Sequence, residues 1–235
     1  MFKHPIISLL NKNYILVLLP RIVLVIFVLL QILGMMLYPG GTIHNSNTLG
    51  YSFTENFFSD MGAYAARNSE PNYLSMILFS FSLTIVGITF FFYYLVLPQI
   101  FGNNKLNYFL TSIGTLFAFG GSFCLIGTGM TPSDLVLSSH VFFANNIFHC
   151  FLMTALFYTI VIFRSKFLKQ KYAIGYGIFF LSIFIYVGVL QYGPSANTGQ
   201  EALIFQVLSQ KMIVFVFCCT IFHQTFGLEK VAKLK

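Results

Sequence analysis

Tryptophan is absent from this chain of 235 residues, charged residues make up only 8% of it, and acids are outnumbered by bases, 6 against 13. So few charges cannot solvate the surface of a soluble domain or form a charged disordered tail. The four cysteines, Cys124, Cys150, Cys218 and Cys219, all lie in apolar runs and none is spaced CxxC. A disulfide framework and a cysteine-rich zinc site are thereby excluded. Nor does the chain contain HExxH, HxxxH or GxSxG, the best-marked signatures of membrane metallohydrolases and serine hydrolases.

What is present is apolar length. Hydrophobic residues make up 57% of the chain, and the mean hydropathy is +0.81. Six runs reach the roughly 20 helical residues needed to cross a bilayer: about 21–38, 73–97, 108–128, 141–163, 172–192 and 203–226. They predict an all-α polytopic membrane protein, one integral domain over 1–235 built as a bundle of six transmembrane helices. No small-residue cleavage pattern follows the first run, so it reads as a retained anchor, with an interfacial segment at 5–20 before it.

All basic residues except Arg67 and Lys211 fall at the first terminus, the last terminus or the two connections on that same side. The positive-inside rule then places both termini in the cytoplasm, and a prokaryotic plasma membrane is the expected location. The net charge of +7 describes loops facing anionic lipid; membrane lipids are the expected partners and nucleic acid is not. Stripes of small residues, Gly114, Ala118 and Ser122 in the third run and Ala173 with Gly177 in the fifth, predict close helix packing and a face for homo-oligomers.

Polar residues inside such runs are the candidates for function. The stretch from Gly129 to His149 holds most of them. Thr131, Pro132, Ser133 and Asp134 form a capping-box-like start, which gives Asp134 a structural role at a helix N-terminus. Asn145 and His149 share a helical face, with Asn146 on its flank, and that face cannot look at hydrocarbon. In the last run Thr198 and Glu201 predict a start near Gly199, which puts Lys211 about 18 Å down the helix with Gln206 and Gln210 above it. The connection 39–72 is the longest; Thr54 there predicts a short interfacial helix at 55–61 with Asp60 at the edge of its apolar stripe. Side chains lean toward helix N-termini, so His140, Asn145, His149, Gln206 and Lys211 are expected to converge with Asp60 and Asp134 on a polar cavity open to the outer side.

Two of these segments carry a resemblance. Asn56-Phe57-Phe58-Ser59-Asp60-Met61-Gly62 is similar to the SD-x-G signature of the DRAM/Frag/Sfk-like membrane proteins. Gly129-Met130-Thr131-Pro132-Ser133-Asp134, followed by His140 and Ala144, resembles the G-x-x-P-x-D … H-x-x-x-A segment of a related prokaryotic six-helix family of unknown function. The resemblance implies a six-span fold with the two acids and the histidine as family positions, and lipid handling by analogy with eukaryotic relatives.

Three functions follow as expectations, in order: binding of a lipid headgroup or small polar ligand in that cavity; a membrane-embedded lipid hydrolase or lipid-modifying enzyme; a small transporter. No cofactor is required by the sequence, although Asp60, Asp134 and His140 are suitable ligands for a divalent metal. His140 and His149, about 13 Å apart along one helix, cannot share an ion.

Overall fold

A computed structural model describes residues 11–232. Six helices long and apolar enough to span a membrane account for most of them: α1 Tyr14–Leu37, α2 Tyr73–Val96, α3 Lys105–Met130, α4 Leu137–Arg164, α5 Gln170–Tyr192 and α6 Gln200–Ala232. The expected segment 5–20 lies outside the described residues as far as residue 10, and from Tyr14 onward it belongs to α1. Its first turn, Tyr14–Leu18, is π-helical and passes into regular helix beside Pro20. The proline's missing N–H falls at that junction, where a wide turn tolerates it.

Local chemistry sets the other ends. A 3-10 turn, Leu97–Phe101, carries Pro98 and closes α2; Asn104 Oδ1 then caps α3 by accepting from Asn107 N at 2.9 Å. The expected start at Pro132 is corrected. Thr131 Oγ1 donates back to Gly127 O at 2.8 Å, so it finishes α3 and caps nothing after it. A single turn closed by Leu135 and Val136 N–H on Pro132 O follows before α4 begins at Leu137. At the other expected cap, Thr198 Oγ1 donates to Ser195 O at 2.7 Å within a short 3-10 turn, and α6 starts at Gln200.

Successive helices pack side by side in a ring that closes where α6 returns to α1, its loosest seam. Towards the basic end that seam is bridged by Arg21, which donates to Thr225 at 2.8 Å and Glu229 at 3.0 Å. The core there is aromatic: Phe90, Tyr93, Tyr94, Phe151, Tyr158 and Tyr176 are all fully buried. Tyr94 and Tyr176 hydroxyls meet at 3.2 Å, and Tyr158 meets Thr115 at 2.8 Å, which satisfies phenols that hydrocarbon would penalise. The stripe Gly114, Ala118, Ser122 faces into this core; a Cβ on Gly114 would sit 3.1 Å from Phe157 and Tyr158. Gly114 thus packs α3 against α4, Ser122 lies against Gly87 of α2, and all three residues are buried within the chain.

Candidate functional site

The connection between α1 and α2, residues 39–72, folds back onto the bundle. It contains no interfacial helix at 55–61; the helical part is a 3-10 turn at Phe58–Gly62, and Thr54 lies in the turn before it. The start is set by Asp60, whose Oδ2 accepts from Phe57 N at 2.9 Å. Met61 is fully buried, and a Cβ on Gly62 would meet the Phe79 ring at 2.5 Å, so only glycine allows the turn this close to α2.

Asp60 is the hub of the loop. Arg67 donates to its Oδ1 through Nε at 3.0 Å and Nη2 at 2.9 Å, and Asn56 Nδ2 donates to Oδ2 at 3.2 Å. With four donors, the carboxylate is 2% exposed without being an orphaned charge. Asn56 also donates to Gly41 O at 2.9 Å and accepts from Ser52 N at 2.9 Å. Asn72 Nδ2 donates to Met61 O and Ala63 O, each at 2.9 Å, which closes the loop on itself.

Three side chains from later in the chain, Asp134 in the turn between α3 and α4 and Gln210 and Lys211 of α6, then fasten the loop. Asp134 accepts from Tyr64 N at 2.8 Å and Ala65 N at 2.9 Å, one amide on each carboxylate oxygen. Gln210 Oε1 accepts from Phe58 N at 2.9 Å. Lys211 Nζ donates to Asn56 O at 2.5 Å and lies 5.0–5.2 Å from the rings of Tyr51, Phe53 and Phe58. The ammonium, on a side chain only 6% exposed, is thus held by a carbonyl and three π faces instead of a carboxylate. Two phenols, Tyr38 at the end of α1 and Tyr51 in the loop, record the same environment. Burial, and next the Asp60 charge, push the Tyr38 hydroxyl up to about 12; the same two causes raise Tyr51 further.

Neither a known family model, nor a characterised protein, nor a solved structure matches the chain. The site is therefore read from its own geometry.

Of the candidate residues, Asp134, Gln210 and Lys211 each bond a different point of the loop that Asp60 organises. His140 is 4% exposed, and its Nδ1 lies 2.6 Å from Thr131 O. A carbonyl only accepts, so Nδ1 carries the proton, and Nε2 is buried without a partner among the described residues. The rest stay apart. His149 Nδ1 donates to Asn145 O at 2.9 Å and its Nε2 faces Gln191 at 3.4 Å. Asn146 bonds Phe142 O in its own helix at 2.8 Å, and Gln206 bonds Pro194 O at 2.9 Å in the α5–α6 connection.

Two corrections follow. The polar groups do not line an open polar cavity, because the loop already occupies them. Asp60, Asp134 and His140 do not form a metal centre either: each is engaged by different partners, and among the described residues no three His, Cys, Asp or Glu side chains come together as a ligand set. What lies beneath the loop is apolar. A cavity of about 100 Å³ takes walls from every helix, among them Phe27, Leu83, Leu125, Phe148, Ile183 and Val214, and Phe58 and Ser59 of the loop complete it. Reasoning from polar residues alone missed this cavity, together with Asn56, Asn72 and Arg67. Arg67 carried a signal, being the lone base among the acids of that loop.

Proposed function

We propose that this chain is a multi-pass membrane protein that binds the apolar part of a lipid or similar hydrophobic ligand inside its ring of six helices. It sits in the plasma membrane of a prokaryote with both termini cytoplasmic, and it is related to the DRAM/Frag/Sfk-like proteins. The observation that carries the reading is the cavity walled by all six helices and completed by a loop that buried Asp60 and Lys211 hold in place. Space walled by aliphatic and phenyl side chains disfavours water, and about 100 Å³ accommodates a short hydrocarbon segment. The two segments that carry the family resemblance have one physical role in this reading: Asp60 shapes the loop and Asp134 docks it.

Enlarging a side chain in the wall tests the reading. Ala144 and Val214 both face the cavity. Native mass spectrometry of detergent-extracted protein is expected to show co-purified lipid or alkyl adducts on wild type and their loss in Ala144→Phe and in Val214→Phe. Equal adducts on all three proteins would remove the cavity as the binding site.

A further inference from the structure

Among the described residues, the cavity wall contains one buried polar atom with no partner, and its chemistry specifies a ligand. Gln31 of α1 borders the cavity and is 4% exposed. Its amide lies 2.6 Å from Ser82 Oγ, and Ser82 in turn lies 2.7 Å from Phe79 O. The Phe79 carbonyl can only accept, so the serine proton goes there, and Ser82 Oγ must accept from Gln31. This fixes the side chain with Nε2 on Ser82 and leaves Oε1 as an acceptor that nothing among the described residues satisfies. An amide oxygen abandoned in an apolar interior is costly, and such orphans point to something absent from the protein itself.

We propose, building on the cavity reading above, that the ligand is a neutral lipid bearing a hydroxyl group, whose O–H donates to Gln31 Oε1 while its chain fills the space between the helices. Three observations select this class. An anionic headgroup needs donors, and the nearby cations are engaged already, Lys211 by Asn56 O and Arg67 by Asp60. An ammonium headgroup needs a counter-charge, and no acid lines the cavity. Water alone would leave the phenyl and aliphatic side chains that make up most of the wall without a partner. The other polar side chains in the wall are Ser59, Thr128 and Gln210; Gln210 Oε1 is taken by Phe58 N, and the Thr128 hydroxyl donates to Cys124 O. An alcohol at the end of an alkyl or isoprenoid chain meets both demands with one donor.

The test compares 1-pentanol with its methyl ether, which has the same alkyl chain and no donor, by competition for the full-length detergent-purified protein in native mass spectrometry. Wild type is expected to prefer the alcohol about fivefold, the worth of one neutral hydrogen bond, and Gln31→Met to show no preference. Equal binding of alcohol and ether by wild type overturns the hydroxyl assignment and leaves the cavity reading standing. A preference that persists in Gln31→Met overturns the assignment to this residue. If neither compound binds, or both bind Ala144→Phe as they bind wild type, the cavity reading fails and this inference with it. The comparison on wild type decides the hydroxyl question even where the Gln31 variant does not fold.

Discussion

Replacing Asp134 with alanine removes the acceptor of two backbone N–H groups, Tyr64 and Ala65, without disturbing a helix cap. The side chain is exposed, so the expected loss in detergent-measured unfolding free energy is about 1 kcal/mol. Asp60→Ala is expected to cost about 2–3 kcal/mol, since it strips a buried hub and leaves Arg67 able to reach water. If the two variants unfold alike, the hub assignment is wrong. Asp134 also shows why roles were only partly readable in advance. The local pattern Thr131-Pro132-Ser133-Asp134 matches a helix start, and local patterns are all that spacing can reveal. Amides 70 residues away hold the carboxylate instead. That Lys211 faces inward was legible, because hydrocarbon penalises a lone ammonium. Its partner was not, because every residue has a carbonyl and that of Asn56 carries no mark.

The six helices follow from apolar run length, which depends on composition over about 20 residues and tolerates errors at the ends. Loop 39–72 depends on particular backbone angles. Gly41 has φ 84°, and a Cβ there would lie 2.3 Å from Asn68 N. Gly41→Ala is therefore expected to unseat the loop while the helices remain, seen as rapid proteolysis within 39–72 at unchanged helical circular dichroism; a protease-resistant variant would refute it. Two phenols, Tyr38 and Tyr51, make the loop sensitive to alkali. Tyr38 titrates at about 12 when folded and at 10.0 when not; the unfolded chain loses its proton first, so stability present below pH 10 is lost as pH rises toward 12. Tyr51 adds to the same trend. Thermal midpoints are expected to fall between pH 10 and 12, and to fall less in the Tyr38→Phe, Tyr51→Phe double variant. An identical fall in both proteins would mean the titrating groups lie elsewhere.

At the scale of the whole molecule, the up-and-down ring puts loop 39–72 at the end opposite the basic connections, the end that the proposed topology makes extracytoplasmic. A cysteine introduced at exposed Asn47 is expected to react with an impermeant maleimide in intact cells, and one at Lys169 only after permeabilisation; the reverse pattern would invert the topology. The fastening of the loop also imposes an order on biosynthesis. Asn56 O and Phe58 N bond to side chains 155 and 152 residues further along the chain. While the ribosome is still making the final helix, these groups and the Asp60 hub beside them lack their closing partners. Completion of the first connection is thus a late event in synthesis, and a chain truncated before Gln210 presents an unsealed segment to the proteases that clear unfinished membrane proteins.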